Sequence, residues 1–480
     1  MNFGMVLRSL AILLTCEGLV MIPSLFVAMI YGGYDVKAFA ITIGILLSLG
    51  VLGLFKRPKN KSIYTRDGFA IVAIGWLLTS FFGALPFVIS GAIPSMVDSF
   101  FEASSGFTTT GATILTNVEA LPHGILFWRS FTHWVGGMGV LVMTLAILPS
   151  AGAGTLQIMK AESPGPNPGK LVPKMGQTAK ILYGIYIVVT IILAILLKIA
   201  GMTWYDSLIH AFGTVGTGGF SDKALSVGAY NNIWVEVIIT FFMLVCGANF
   251  SLYYQALKGN IKGIFKDEEL KFYIGVVLIS ILLITLNIHG SIFKTVGESL
   301  RHSSFQVASI ITTTGYATTD FNLWPLFSKM ILLSLMFFGG CAGSTAGGIK
   351  NIRFLLLFKI IRRELLKIIH PKAVYTVKFG DKSVDEETLK GITSFFFVYM
   401  AIFLGTILIV SLEGFDTMTT ISAVATSIGN VGPGFEIVGP MGSFSDFSNL
   451  SKVVLSMCMI IGRLEIYPIL LLFVPEFWKK

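Results

Sequence analysis

The sequence contains few charged residues for its length. Asp, Glu, Lys and Arg make up 13% of the 480 residues, whereas hydrophobic residues make up 54% and phenylalanine occurs 39 times. A soluble protein of this size needs a far more charged surface to stay dispersed in water. The composition therefore excludes an ordinary soluble protein. It predicts an all-α polytopic membrane protein, because apolar runs of about 20 residues can cross a hydrocarbon core of about 30 Å.

Cysteines and enzyme motifs are also scarce. Four cysteines lie in apolar runs without metal-ligand spacing, which favours small buried side chains over disulfides or a metal site: Cys16, Cys246, Cys341 and Cys458. The segment Gly165–Lys170 (GPNPGK) is too short for a phosphate-binding loop and has no Ser or Thr after its lysine. Zinc motifs and nucleophile elbows are missing as well. We therefore expect no enzymatic activity and no organic cofactor on this chain.

Basic residues are concentrated between the apolar runs. The net charge is +9, and most Lys and Arg residues lie in four segments: Lys56–Arg66, Lys160–Lys180, Lys258–Lys271 and Lys350–Lys390. Short loops rich in Lys and Arg stay on the cytoplasmic side, where anionic lipid accounts for their charge without a nucleic-acid partner. If the N-terminus is inside, all four segments are inside. We therefore expect both termini to be cytoplasmic.

Ten apolar runs are candidate membrane spans. They lie near residues 7–31, 37–55, 68–90, 124–148, 178–200, 233–257, 271–289, 326–349, 391–412 and 452–475. The first run follows Arg8 and continues to about Tyr31 without a convincing cleavage site, so we interpret it as a retained span rather than a signal peptide.

Four windows of 14 residues between these runs resemble one another. Each begins with a polar residue followed by Ser or Thr and ends in Gly: Asp98–Gly111 (DSFFEASSGFTTTG), Asp206–Gly219 (DSLIHAFGTVGTGG), His302–Gly315 (HSSFQVASIITTTG) and Thr419–Gly432 (TTISAVATSIGNVG). The second residue (Ser99, Ser207, Ser303 or Thr420) is of a type that caps helix starts. The pattern predicts a unit of span, short pore helix, glycine turn and span. Two N-terminal helices (1–66) would precede four such repeats, at 67–176, 177–268, 269–388 and 389–480.

Pore helices that end in glycine turns indicate a water-lined passage. Non-helical backbone at membrane depth is tolerated only where it faces protein or water. Four turns around one axis would bring backbone carbonyls together, and rings of carbonyls replace the hydration shell of a monovalent cation. Glycine permits the backbone conformations that this needs, and helix C-termini add partial negative charge. Thr110, Thr217 and Thr314 are candidates for further hydroxyl or carbonyl ligands.

Longer motifs around these windows resemble the Trk/Ktr/HKT superfamily of K⁺ transporters. They are Phe101–Thr113 (FEASSGFTTTGAT), Thr214–Ser221 (TVGTGGFS), Phe305–Asp320 (FQVASIITTTGYATTD), Gly339–Lys350 (GGCAGSTAGGIK), Asn430–Gly434 (NVGPG) and Gly462–Glu465 (GRLE). The resemblance covers nearly the whole chain, and the extra N-terminal helix pair favours the bacterial Trk type over the shorter Ktr type. It implies K⁺ uptake across the bacterial inner membrane, a homodimer, and a cytoplasmic nucleotide-binding regulatory ring that is TrkA-like.

The resemblance also assigns an ion filter. Its residues would be Thr110, Gly111, Thr217, Gly218, Gly219, Thr314, Gly315, Val431 and Gly432, with K⁺ held at Thr110, Gly111, Thr217, Gly218, Thr314, Gly315, Asn430 and Val431. Family members with serine at the first glycine tend toward Na⁺ permeation, so Gly111 points to K⁺. Either Gly218 or Gly219 can be the key glycine of the second turn. The fourth turn, Asn430 to Gly432, departs from the Thr-x-Gly pattern.

A glycine-rich stretch lies inside the predicted second span of the third repeat. So many glycines make a poor helix, although small residues also mark close helix packing. By the resemblance the span is broken here, and the stretch is a loop that acts as a gate beneath the filter. Its residues are Gly339, Gly340, Gly343, Ser344, Thr345, Ala346, Gly347 and Gly348.

Arg463 lies midway along the last predicted span, where an ionisable residue is a functional hypothesis by default. The resemblance places it near the pore as part of a barrier to cations. The structural alternative is a pair with Glu465 or with loop carbonyls.

Other polar residues have structural interpretations. For Arg129 and His133 we expect pairing with Glu102 or Asp98, and for His210 helix packing or hydrogen bonding. The basic amphipathic helix predicted at Lys359–Lys372 would either lie on lipid or, by the resemblance, dock the regulatory ring.

Two alternatives to K⁺ uptake stay open. One is a Na⁺-permeable or Na⁺-coupled transporter of the same superfamily. The other is a membrane receptor or scaffold that does not transport, in which the glycine turns only pack helices together.

Overall fold

The computed structural model describes residues 1–55, 58, 62–139 and 175–479. Parts of three predicted features lie outside these residues: the basic segment Lys56–Arg66, the basic segment Lys160–Lys180 and the end of the span at 124–148. The segment Gly165–Lys170 lies wholly outside them. Within the described part the chain is helical, apart from loops and one small hairpin.

The helices follow one another in the order that the repeats predict. The described residues form twenty α-helices: α1 (Phe3–Val20), α2 (Ile22–Ile30), α3 (Val36–Phe55), α4 (Thr65–Ser90), α5 (Met96–Phe107), α6 (His123–Gly137), α7 (Met175–Ile199), α8 (Trp204–Gly216), α9 (Ile233–Gly247), α10 (Phe250–Leu257), α11 (Ile261–Ile264), α12 (Glu268–Ile288), α13 (Val296–Ile311), α14 (Leu326–Leu335), α15 (Asn351–Ile369), α16 (Glu386–Val410), α17 (Thr417–Gly429), α18 (Asn449–Arg463), α19 (Tyr467–Leu472) and α20 (Pro475–Trp478). Short 3₁₀ turns cover Ser226–Tyr230, Phe321–Leu323, Ser411–Glu413 and Glu436–Val438.

Six helical segments are long and apolar enough to cross a membrane. They are Phe3–Ile30, Val36–Phe55, Thr65–Ser90, Ala179–Ile199, Glu268–Ile288 and Glu386–Glu413. The pair α9 and α10 would make a seventh, although it bends by 92°. These segments confirm the predicted all-α polytopic membrane protein.

The second helices of the repeats are broken more often than predicted. The candidate spans at 233–257 and 452–475 are not continuous helices, because α9 ends at the bend after Gly247 and α18 ends at Arg463. Backbone φ angles of 55° and 75° at Glu465 and Ile466 stop the helix there, since left-handed backbone does not continue an α-helix. In the third repeat α14 ends at Leu335, before the glycine-rich stretch.

The four pore helices, α5, α8, α13 and α17, occupy the predicted windows, but each begins earlier than the predicted cap. The side chains of Ser95, Thr203, Thr295 and Asp416 cap the helix starts instead. Ser99, for example, lies inside α5, and its hydroxyl donates back to the Ile93 carbonyl at 2.8 Å. Ser99 therefore fastens α5 to the loop that precedes it and does not cap the helix start.

Two further units pack against other helices of the repeats. In the N-terminal pair, α1 and α3 run antiparallel and approach closely at glycines, since a Cβ on Gly53 or Gly50 would overlap Ala11 or Thr15. After α15, strands β1 (Lys378–Phe379) and β2 (Lys382–Ser383) form an antiparallel hairpin, with Lys378 opposite Ser383. An apolar cluster joins this hairpin to α15 and α16: Leu356, Val377, Leu389 and Ile392.

Candidate ion filter

Each pore helix is followed by the same unusual backbone turn. The backbone is left-handed, with φ between 54° and 56°, at Thr109, Thr217, Thr313 and Asn430. Two residues later it is left-handed again, with φ between 78° and 101°, at Gly111, Gly219, Gly315 and Gly432. Non-glycine residues rarely adopt this conformation, and where they do the strain often belongs to a functional site. The shared pattern aligns Gly219, rather than Gly218, with Gly111.

The four turns close into a ring. A Cβ added to Gly111, Gly219, Gly315 or Gly432 would overlap the carbonyl oxygen of Gly218, Thr314, Val431 or Thr110, respectively. The glycine of each turn therefore lies against the middle residue of the next turn, and the fourth turn returns to the first. We call this arrangement the filter ring. It leaves no space for a side chain at any of the four glycines.

One cavity opens above all four glycines. It has a volume of about 120 Å³ and is lined by Gly111, Gly219, Gly315 and Gly432 together with loop residues that include Thr113, Ser221, Pro433 and Phe444. We call this cavity the vestibule. Because one cavity reaches all four turns, the filter ring surrounds a common axis.

The hydroxyls of the three threonines that the sequence offers as ion ligands are engaged within the protein. The hydroxyl oxygen of Thr110 lies 2.7 Å from that of Thr108, and the hydroxyl oxygen of Thr314 lies 2.8 Å from that of Thr312. The Thr217 hydroxyl donates to the Gly216 carbonyl at 2.6 Å. The backbone carbonyls are therefore better candidates for ion ligands than these hydroxyls, as in carbonyl-lined filters.

A buried ion pair braces the first two turns from outside the ring. Arg129 Nε lies 2.5 Å from Glu102 Oε1, and the carboxylate also accepts a hydrogen bond from the Thr113 hydroxyl at 2.9 Å. Arg129 Nη1 donates to the Ser221 carbonyl at 2.9 Å. The predicted pairing with Glu102 is confirmed for Arg129 but not for His133, whose ring contacts backbone groups. Asp98 instead pairs with Lys452, at 2.7 Å.

His133 is neutral and supports the second turn. Its Nδ1 lies 2.7 Å from the Gly106 carbonyl, whereas Nε2 accepts a hydrogen bond from the Phe220 amide at 3.2 Å. One ring nitrogen that donates and one that accepts define a neutral imidazole. A Cβ on Gly218 would overlap the His133 ring, which explains a glycine at this middle position.

His210 has the predicted hydrogen-bonding role. Its Nδ1 lies 2.8 Å from the Asp206 carbonyl and its Nε2 lies 3.0 Å from the Ser221 hydroxyl.

The glycine-rich stretch is an irregular loop, and the predicted break in the helix is present. Near its start, the Cys341 amide donates to the Gly247 carbonyl at 2.8 Å and the Gly343 carbonyl accepts from the Phe250 amide at 3.0 Å. The loop therefore fits into the bend between α9 and α10. The remaining predicted gate residues of the stretch lie along the same loop: Gly339, Gly340, Ser344, Ala346 and Gly348.

The end of the loop lies directly against the filter ring. The Gly347 amide donates to the Thr313 hydroxyl at 2.7 Å, and a Cβ on Gly347 would overlap Asn430.

Glu269, which the sequence analysis did not single out, holds both ends of the loop region: its carboxylate accepts hydrogen bonds from the Ala342 and Ile352 amides at 2.7 and 3.0 Å. A glutamate in the first turn of a span is the sequence signal that could have marked this anchor.

Arg463 ties the loop to the first repeat. Its guanidinium donates to the Thr345 carbonyl at 2.9 Å and to the Gly136 and Gly137 carbonyls at 2.6 and 2.7 Å. The predicted contact with loop carbonyls is therefore present. Glu465 instead forms an ion pair with Arg353 at 2.5 Å. A positive charge thus lies between the loop and the end of α6.

The chain is similar to known proteins over its whole length. The model of a family described as "TrkH: Cation transport protein" matches residues 35–480. The chain is 38% identical to the Trk system potassium uptake protein TrkH of Escherichia coli (strain K12), and 37% identical to TrkH of Halomonas elongata, with all of each chain covered. It also matches the crystal structure of the potassium transporter TrkH from Vibrio parahaemolyticus, with a TM-score of 0.89, 36% identity and full coverage of both chains.

Proposed function

The chain belongs to the TrkH family of cation transport proteins, and from this premise we propose that it takes up K⁺ through the filter ring. It is a multi-pass protein of the bacterial inner membrane. The observation that carries the proposal is the closed ring of four turns beneath one vestibule. A receptor or scaffold that used glycine turns only for helix packing would not need four strained turns around a common axis.

K⁺ would lose its hydration shell to backbone carbonyls of the filter ring. The middle residues of the turns supply the oxygens that meet the neighbouring glycines: Thr110, Gly218, Thr314 and Val431. A left-handed residue flanks each middle residue on both sides. The pore helices end at Phe107, Gly216, Ile311 and Gly429, immediately before the turns, so their C-terminal dipoles favour a cation at the ring.

The loop and Arg463 would form the gate below the ring. In the arrangement described here the loop packs against two of the four turns, and Arg463 holds it through the Thr345 carbonyl. A cation would meet both a backbone obstruction and a positive charge on this side of the ring. Opening would require the loop to leave these hydrogen bonds for a second position, as switching elements do.

The relatives' names place them in a Trk system, and we propose a homodimer regulated by a TrkA-like cytoplasmic ring. The segment that fits such a partner is α15, because it follows the loop directly. Its Lys359 pairs with Glu268 at 2.5 Å, which links the basic helix to the start of α12. A partner that moved α15 would therefore shift Glu268 and the neighbouring Glu269, whose carboxylate accepts a hydrogen bond from the loop. Transport of K⁺ needs no catalytic residue, so the chain would not be an enzyme.

Growth of a bacterium that lacks its own K⁺ uptake systems tests the function. We expect expression of this chain to restore growth at low external K⁺, whereas a chain with Gly111 replaced by Ser should restore it less well. Rescue would exclude a scaffold. A Na⁺-permeable transporter would instead fail to rescue while it admits Na⁺, and this outcome would favour the alternative.

A further inference from the structure

The fourth turn of the filter ring differs from the other three at its first left-handed residue. This residue is Asn430, whereas Thr109, Thr217 and Thr313 occupy the equivalent positions. Asparagine tolerates left-handed backbone better than most residues, so the backbone alone does not require threonine there. The longer amide side chain, however, reaches groups that a threonine hydroxyl would not.

The Asn430 amide joins three elements. Its Nδ2 lies 3.0 Å from the Thr110 hydroxyl oxygen, in the middle of the first turn, and 2.8 Å from the Met459 carbonyl of α18. The Met459 carbonyl only accepts, which fixes the orientation of the amide. The residue is fully buried, so water does not compete for these hydrogen bonds.

Two glycines make room for this side chain. A Cβ on Gly347 of the loop would lie 3.2 Å from Asn430 Oδ1, and a Cβ on Gly462 of α18 would lie 3.0 Å from the same atom. The amide therefore occupies a gap between the loop, α18 and the filter ring. The loop, α18 and the filter ring therefore all pack against the Asn430 side chain.

We propose that Asn430 is a positioning residue for the ion preference of the filter ring. Its hydrogen bond to Thr110 fixes the fourth turn against the first, where the ring closes, and its hydrogen bond to Met459 anchors both turns to α18. Gly432 lies against the Thr110 carbonyl, so the spacing of these two turns sets the position of that carbonyl. This inference rests on the proposed K⁺ uptake.

Ion competition in liposomes tests the proposal. Purified Asn430→Ser protein keeps a small polar residue but loses the reach to Thr110 and Met459. We expect its preference for K⁺ over Na⁺, measured as competition against Rb⁺ uptake, to fall about three- to tenfold, the scale of one or two lost hydrogen bonds. A side chain that merely stabilised the fold would lower the amount of protein without changing this ratio.

A double-mutant cycle gives the matched control. Thr110→Val and Thr314→Val each remove a hydroxyl that contacts a neighbouring threonine, but only Thr110 also contacts Asn430. We expect the losses from Thr110→Val and Asn430→Ser to overlap in the double variant. The losses from Thr314→Val and Asn430→Ser should multiply, as for independent sites.

The outcomes separate this inference from the proposed function. Wild-type K⁺ preference that persists in Asn430→Ser, or losses from Thr110→Val and Asn430→Ser that multiply, would overturn the inference alone. A wild-type protein without K⁺ preference would overturn the proposed function first. If Asn430→Ser does not accumulate, Asn430→Thr carries the same test, because threonine is the residue at this position in the other three turns.

Discussion

Substitution of Gly111 by serine probes one of the close contacts between neighbouring turns of the filter ring. The backbone at Gly111 has a φ of 81°, and a Cβ there would overlap the Gly218 carbonyl oxygen of the next turn. Serine at this position therefore costs free energy in two ways. Its backbone must be left-handed, and its Cβ must displace the neighbouring carbonyl. Only the second acts directly on a predicted ion ligand.

The backbone penalty can be measured separately at Gly91. This glycine caps the end of α4 with a φ of 76°, and nothing lies within 4 Å of an added Cβ. Left-handed backbone costs a non-glycine residue about 1–2 kcal/mol, which both serine variants should share. Displacement of a carbonyl in the filter ring should lower the free-energy preference of the Gly111→Ser protein for K⁺ over Na⁺ by ~1 kcal/mol or more. That corresponds to a fall of about fivefold or more in the K⁺/Na⁺ ratio.

The assay is uptake of Rb⁺ into liposomes in competition with K⁺ and with Na⁺. We expect Gly91→Ser to keep the wild-type competition ratio and Gly111→Ser to lose most of its discrimination, with comparable amounts of folded protein. Unchanged discrimination in folded Gly111→Ser protein would refute the role of the ring, because the overlap would then have no consequence for the ion.

Three further predictions concern the gate and the brace around the ring. Arg463→Ala should raise K⁺ flux severalfold in liposomes, because it removes a positive charge and the hydrogen bond to the loop; reduced or unchanged flux at normal protein levels would contradict the barrier role. Deletion of Gly343–Ala346 should raise basal flux and weaken control by the regulatory partner while K⁺ preference persists, and wild-type flux with full regulation would mean that the loop only packs. Glu102→Gln should lower the melting temperature, because loss of one partner from a buried ion pair costs about 3–5 kcal/mol; an unchanged melting temperature would show that Arg129 finds sufficient partners elsewhere.

The membrane class and the positions of the pore helices followed from local signals. Composition and apolar run length are properties of the chain alone, and the four glycine windows ended where the structure has its left-handed glycines. The helix starts were placed too late because Ser99 and its equivalents are good caps by type. Capping depends on where the backbone leaves the helix, and residues outside the windows decide this.

Apart from the contact of Arg463 with the loop, the contacts between repeats were beyond sequence reasoning. Glu269 reaches the loop across 73 residues of chain, and Asn430 reaches Thr110 across 320. Periodicity does not encode such partners, since each side chain is compatible with several neighbours until the helices pack. The breaks at Gly247 and after Arg463 were missed for the same reason. The partners at both breaks come from the third repeat: the Cys341 amide bonds the Gly247 carbonyl, and Thr345 and Arg353 contact Arg463 and Glu465.

Selection of K⁺ by the filter ring is the central claim, and Rb⁺ uptake by the purified wild-type protein in liposomes tests it most directly. We predict that external K⁺ suppresses Rb⁺ uptake and that Na⁺ at the same concentration does not. Equal suppression by Na⁺, or the absence of Rb⁺ uptake from liposomes that contain folded protein and its regulatory partner, would contradict the claim.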